Sequence, residues 1–357
     1  MALLKLDVLS LRNIHSASIS PSASINLITG ANAGGKSSLL EAIFILGRAR
    51  SFRTTHLKQA IAFEQTNLIV SAQNRMANGA VSHLGIQIDH KQTEIRIDQE
   101  TKQKADLAYA LPVQLIHPKS YQLLDAGPQI RREFLDWGIF NQHRNFLPNW
   151  RQFNKALQQR NALLKSRQPQ QIPAWDKQLL EFGLPVNEFR RQYIAALQPV
   201  FLEMAEHFLV TSEIELRFNS GWDEKHDLAQ ILKTDLEKDL RYGFTHNGPH
   251  RADFTTYLKK KSARDYLSRG QQKLLVLALM LSQVKLLNQQ AQNSCCILID
   301  DLTAELDTVN RLKLLEYLTQ LDCQVFMTAC ELADFGDLAG LSDYKMFHVE
   351  QGSIKAL

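Results

Sequence analysis

Long apolar runs are missing from this chain of 357 residues. A bilayer-spanning helix needs about 18 or more such residues, whereas the longest run here, Leu274 to Leu281, is closed by Lys273 and Ser282. Nothing in the pattern crosses a membrane. Cysteine is scarce as well: the four residues present show no Cys-x-x-Cys spacing, which excludes a disulfide framework or a zinc knuckle. Cys295 and Cys296 are neighbours in an apolar stretch and point to opposite faces, and Cys323 and Cys330 lie near another. All four are expected to be reduced core thiols of a cytoplasmic protein. Charge of one sign is not in excess either, since 41 Lys and Arg stand against 37 Asp and Glu for a net +4. That balance permits nucleic-acid contact through local patches without requiring it. The first nine residues carry Lys5 and Asp7 within an apolar pattern and lack a small-residue cleavage site, so they read as a strand. No internal repeat or low-complexity tract appears, and the length favours two lobes over one core.

Against these absences stands one dense motif. Gly30-Ala31-Asn32-Ala33-Gly34-Gly35-Lys36-Ser37 fits the phosphate-binding loop pattern at every fixed position. The apolar strand Ile25 to Thr29 precedes it, and an amphipathic helix is predicted from Ser38 onward. Gly30, Gly34 and Gly35 are expected to take positive φ, so that backbone N–H groups and the helix N-terminus face an anion. Lys36 adds a positive charge, and Ser37 offers a hydroxyl ligand to Mg²⁺. The chain is thus expected to bind a nucleoside triphosphate.

Periodicity then divides the chain. Short alternating segments at 68–70, 84–88, 94–97 and 113–116 predict strands of an antiparallel edge or a second small sheet. From Gln129 the pattern turns helical: Val186, Phe189, Tyr193, Leu197, Val200, Met204 and Phe208 form one apolar stripe, with a kink expected at Pro199. A Lys- and Arg-rich helix from Trp150 to Arg167 precedes it and ends in a turn marked by Pro169 and Pro173. Strand-like Asp253 to Leu258 restores mixed structure. The predicted division is an α/β head at 1–128, an inserted helical lobe at 129–242, and the rest of the head at 243–357.

Two further elements complete a nucleotide site. Cys295 to Ile299 is a buried strand running into Asp300 and Asp301; the first is the expected magnesium-linked acid, and the second stands where it orients the attacking water. Leu267-Ser268-Arg269-Gly270-Gln271-Gln272 opens the next helix, and this turn is a second anion-binding device. One triphosphate has little use for two cradles on one chain. The economical reading is that Ser268, Gly270 and Gln271 close on the γ-phosphate held by another copy, giving an ATP-dependent homodimer. Plain capping of the helix by Ser268 is the alternative.

Together with Ala304-Glu305-Leu306-Asp307, these motifs resemble the ATP-binding cassette ATPases, and the split head with a helical insertion resembles their SMC-class branch. From end to end the chain is similar to the RecF family. Leu11-Arg12-Asn13, Gly127 to Trp137, Gly248 to Asp253, Leu267 to Gln271 and Ile299 to Asp307 carry that similarity. Lys119, Ala126 and Asn310 depart from the family pattern, and Thr328 stands where many cassette ATPases have a histidine. The resemblance implies an SMC-type head without a long coiled coil, with Arg12, Ser38 and Asp307 joining the loop in ATP binding and Mg²⁺ as metal. It further implies a slow ATPase, because Asp301 replaces a longer glutamate, and a clamp on duplex, single-stranded or gapped DNA. RecR, with RecO and indirectly RecA, is the implied protein partner, in repair, the SOS response and fork recovery. Candidate DNA contacts are Arg48, Arg50 and Arg53, then Lys102 and Lys104, then Lys259, Lys260 and Lys261. A transporter nucleotide-binding subunit, another SMC-class ATPase or a small-molecule kinase would share part of these motifs.

Overall fold

The first strands, β1 (Ala2–Leu11), β2 (Ile14–Ile19) and β3 (Ile25–Thr29), lead into helix α1 (Lys36–Arg48) in a computed structural model that describes all residues except 212, 291–293, 302–304 and 339. Residues Met1–Ser120 and Leu287–Leu357 form one compact unit, and Tyr121–Leu286 form a second.

The first unit holds two six-stranded sheets. One is antiparallel, in the order β2-β1-β4-β5-β6-β7, with β4 (Asn67–Arg75), β5 (Val81–Asp89), β6 (Thr93–Ile97) and β7 (Glu100–Thr101). Alternation explains it: Leu84, Ile86 and Ile88 of β5 are buried while His83 and Gln87 face outward. The predicted second sheet is therefore present for 68–70, 84–88 and 94–97, and it is as large as the other; the strand expected there at 113–116 instead joins the parallel sheet, because its partner is the distant acid-ended strand Cys296–Ile299. The other sheet runs β15-β14-β3-β13-β12-β8, built from β8 (Val113–Ile116), β12 (Cys296–Ile299), β13 (Val325–Thr328), β14 (Tyr344–Glu350) and β15 (Ser353–Ala356). Its strands β14, β3, β13, β12 and β8 are parallel. All residues of β3, β8, β12 and β13 are buried, as expected for parallel strands covered on both faces.

Helix α1 lies among β1, β4, β5, β8 and β13 and the short helix α2 (Lys104–Ala110). It is buried almost all round, Glu41 included, rather than amphipathic as its sequence suggested. Sheets on two sides leave it no solvent face, so each buried Leu and Ile contributes about 1.5–3 kcal/mol.

In the second unit, α3 (Gln122–Asp125) and α4 (Pro128–Gln142) precede a helical hairpin of α5 (Phe146–Ser166) and α6 (Ile172–Leu209). The expected stripe is buried, save Phe189, which is half-buried against Phe146 and His143. No break occurs at Pro185 or Pro199: α6 continues through both. Strands β9 (Ile214–Asn219), β10 (Asp253–Leu258) and β11 (Lys261–Ser262) form a small antiparallel sheet, with α7 (Leu228–Thr234), α8 (Leu236–Tyr242), α9 (Ala263–Tyr266) and the start of α10 (Arg269–Gln290) alongside in sequence. This unit is wider than the predicted 129–242 lobe. Arg131 of α4 forks onto Asp253 of β10 at 2.6 and 2.9 Å, and Gln283 of α10 donates to the Phe134 carbonyl at 2.9 Å. Such long-range pairings draw residues from outside 129–242 into the unit, and periodicity cannot show them. The last helix, α11 (Thr308–Gln320), belongs to the first unit.

His250 gives the second unit a pH dependence. Its Nε2 lies 2.9 Å from the Thr245 carbonyl, and Nδ1 is buried without a partner. Burial, then the charges of Arg251, Arg132 and Arg160, push its pKa from 6.5 down to about 4. A depressed histidine leaves the unfolded chain as the better proton binder, so stability is full above 6.5 and falls as pH drops toward 4. Urea unfolding should show wild type losing about 2–3 kcal/mol over that window relative to His250→Asn.

Candidate nucleotide site

Gly30 follows β3 at φ 149°, and a Cβ there would stand 2.1 Å from the Val349 carbonyl oxygen. Only glycine fits. Gly35 also has positive φ, at 121°, but Gly34 does not; Ala33 takes the left-handed conformation instead, at φ 63°. Gly34 is required for space, since its Cβ would meet the Ala31 and Val349 carbonyl oxygens at 2.9 Å each. α1 starts behind Gly35 with no side-chain cap and no acid in its first turn. Its free N–H groups and dipole therefore face the loop.

The parallel sheet brings the two halves of the site together. β3 and β12 are separated only by β13, so the phosphate loop and the Asp300-Asp301 pair emerge at the same edge. Ser37 Oγ donates to Asp300 Oδ1 at 3.0 Å. Lys36 Nζ is held by the carbonyls of Gly30 at 2.8 Å and Ala31 at 3.3 Å. Burial raises the Asp300 carboxyl above its usual pKa, while the Thr328 and Ser37 hydroxyls pull it down. Asp301 sits at φ 47°, a left-handed conformation costing about 1–2 kcal/mol, and its N–H donates to Thr328 Oγ1 at 2.9 Å. Among the described residues no cluster of three or more His, Cys, Asp or Glu forms a metal cage. One hydroxyl beside one carboxylate is an oxygen donor pair suited to a cation that takes its remaining ligands from phosphate and water.

A cleft of about 310 Å³ is lined by Arg12, Asn13, residues 32–38, Arg53 and Asp301. Two of these positions, Arg12 and Arg53, depend on a residue the sequence reading passed over. Glu41 is fully buried, and its two oxygens accept a fork from Arg12 at 2.8 and 3.0 Å. It also accepts from the Ser51 hydroxyl and lies 3.5 Å from Arg53 Nη1. Arg12, at φ 54°, gives a further donor to the Gln59 carbonyl at 2.8 Å. Three of its five N–H groups are thus committed, and the others are left for a ligand. Asn13 and Ser38 clip the loop: Ser38 Oγ donates to Asn13 Oδ1 at 3.0 Å, and Asn13 Nδ2 donates to the Gly34 carbonyl at 3.1 Å.

Other expected site residues fall elsewhere. Asp307 caps α11, accepting from the Asn310 backbone N–H at 2.8 Å and from its side-chain amide at 3.0 Å. Residues 302–304 of the same motif lie outside the described residues. Ser268 and Gln271 are exposed and form a reciprocal cap, Ser268 N–H to Gln271 Oε1 at 3.0 Å and Gln271 N–H to Ser268 Oγ at 3.3 Å. Of the cysteines, Cys295, Cys296 and Cys323 are buried, whereas Cys330 is exposed. Its Sγ lies 3.1 Å from Asn32 Oδ1 and 3.8 Å from Lys36 Nζ, because the chain beyond β13 runs beside the loop. The core-thiol expectation is corrected there.

The candidate DNA residues separate. Arg48 is half-buried and donates twice to the Val113 carbonyl, at 3.0 and 2.7 Å, so it pins α1 to β8 rather than reaching outward. Arg53 belongs to the nucleotide cleft. Arg50 is exposed, with its guanidinium over the Phe44 ring. Lys102 pairs with Glu100, and Lys104 begins α2. Lys259 and Lys260 have positive φ at the tip of the β10–β11 hairpin; Lys259 pairs with Glu213, and Lys261 stands over Tyr266.

Comparison with known proteins agrees with this geometry. The family model described as RecF/RecN/SMC N terminal domain matches residues 2–355. The DNA replication and repair protein RecF of Pseudomonas aeruginosa (strain LESB58) is 41% identical over 359 residues, covering 99% of this chain and 97% of its own length. Its counterpart in Pseudomonas fluorescens is 42% identical over 360 residues, covering 99% and 98%. A solved structure of the recombination mediator protein RecF with ATPrS, in the RecFOR pathway, superposes with a TM-score of 0.88 at 26% identity, covering 99% and 98%. A Pyrococcus furiosus Smc head domain shares the fold, with a TM-score of 0.59 at 14% identity over 100% of this chain and 96% of that one. Among the described residues no helix is long and apolar enough to cross a membrane. Full-length similarity to repair proteins sets aside the transporter-subunit and metabolite-kinase readings. The chain belongs to the RecF family of DNA replication and repair proteins.

Proposed function

We propose that this chain is an ATP-gated switch that closes as a homodimer on duplex or gapped DNA and times its own release by slow hydrolysis. The observation that carries its ATP-gated part is the 3.0 Å contact between Ser37 of the phosphate loop and Asp300. Those two side chains would hold Mg²⁺, which when bound neutralises phosphate charge. Lys36, Arg12, Arg53 and the α1 N-terminus bind and orient the triphosphate, and Asp301 orients water. Being one methylene shorter than a glutamate, Asp301 reaches less far, which supports slow turnover.

The exposed Ser268 turn supports closure by a second copy. A Cβ on Gly270 would meet nothing within 4 Å, so nothing nearby in this chain demands a glycine there. Close approach of another molecule would. The RecFOR pathway named for nucleotide-bound RecF structures supports RecO and RecR as partners, and the same reading makes RecA the protein they help to load. Sedimentation with a gapped duplex tests the switch. In ATP, dimers on DNA are expected to persist longer for Asp301→Asn than for wild type; an ATP-independent monomer in every condition contradicts the proposal.

A further inference from the structure

Thr328 ends β13, between the strand that leads into the phosphate loop and the strand that ends in the two acids. It pairs with Ile28 of β3, and its neighbour Met327 pairs with Ile299 of β12. That register sets the fully buried Thr328 side chain beside Asp300. Val325, Phe326 and Met327 before it are apolar and buried. A valine would suit the strand and the packing equally well, so the hydroxyl answers a different need.

The hydroxyl contacts both acids. It donates to Asp300 Oδ1 at 2.9 Å, accepts from the Asp301 backbone N–H at 2.9 Å, and lies 3.4 Å from Asp301 Oδ1. With one proton to give, it serves Asp300 at the shorter distance. Ser37 and Thr328 both donate to Asp300 Oδ1, so the carboxylate is held from the phosphate-loop side and from β13 at once. The bond from the Asp301 N–H meanwhile helps hold that residue at φ 47°, a left-handed conformation that costs about 1–2 kcal/mol.

We propose that Thr328 is the positioning residue of the hydrolytic step: its hydroxyl sets the mutual placement of Asp300 and Asp301 and has no part in holding ATP. The proposal rests on the ATP-hydrolysis reading above. It predicts a split between turnover and binding, because misplaced reacting groups lose rate while the phosphate contacts of the loop are untouched.

Steady-state ATPase and equilibrium ATP-binding assays on wild type, Thr328→Val and Thr328→Ser test this. For Thr328→Val, kcat is expected to fall by about 10- to 100-fold, with the Kd for ATP within about threefold of wild type. Thr328→Ser keeps the hydroxyl and should retain kcat within about threefold. Wild-type kcat in the valine variant overturns the proposal. So does a serine variant as slow as valine, which would assign the effect to the methyl group; that comparison stands even where the valine protein folds poorly. Wild type that binds ATP without hydrolysing it overturns the hydrolysis reading itself, a failure visible before any variant is compared.

Discussion

Lys36→Ala is expected to lose ATP affinity by about 100-fold while keeping the fold, a change visible in titration with a fluorescent ATP analogue. The ammonium is buried over the loop, 2.8 Å from the Gly30 carbonyl and 3.3 Å from that of Ala31. It is therefore already placed where phosphate oxygens would meet the loop. Charge-assisted contacts of this kind contribute about 1.5–3 kcal/mol each, and Lys36 has donors for more than one. Arg12 and Arg53 line the same cleft but are anchored on Glu41, so neither moves into the place of Lys36. An affinity unchanged by the substitution would mean that the triphosphate binds elsewhere.

The second large effect falls on stability, far from the nucleotide in sequence. Arg160→Met is expected to destabilise the protein by about 3–5 kcal/mol in urea unfolding. Arg160 is fully buried, donating to Asp176 at 2.6 Å, Asp239 at 2.7 Å and the Thr245 hydroxyl at 2.8 Å. Asp239 is itself only 1% exposed and also meets His246 Nδ1 at 2.7 Å. Removing the guanidinium leaves its charge without its main partner, which is the expensive way to break a buried pair. Burial already raises the Asp176 carboxyl above its usual pKa, and Arg160 is the group that opposes that rise. Asp239→Asn added to Arg160→Met should therefore recover part of the loss. Equal stability of Arg160→Met and wild type would show that the network is dispensable.

Arg160 also marks what could not be read from the chain. In sequence it is one of several cations on a predicted basic helix; in the fold it alone points inward, because its partners come from Asp176, Asp239 and Thr245, 16, 79 and 85 residues away. Glu41 was passed over for the same reason. A lone carboxylate in an apolar helix reads as a solvent face, yet Arg12 and Ser51 satisfy it in the interior. Local features were legible: the phosphate loop has fixed spacing, β5 has strict alternation, and the acid-ended strand is a short apolar run. Thr328 and Arg53 were not assigned to the site, since their placement follows from strand order and from a turn held by Glu41. Cys330 likewise looked like core until the chain beyond β13 brought it beside Asn32.

The central claim is that each nucleotide site is shared, with Gly30 to Ser37 from one copy and Ser268 to Gln271 from the other. Mixing two defective proteins tests it most directly. Lys36→Ala lacks a working loop, Ser268→Ala lacks a working cap, and each alone is expected to be inactive in ATP-dependent turnover on gapped DNA. In the mixed dimer one site joins the intact loop of one copy to the intact Ser268 of the other, so an equal mixture should regain about a quarter of wild-type turnover. A mixture no more active than its two components would contradict the shared site.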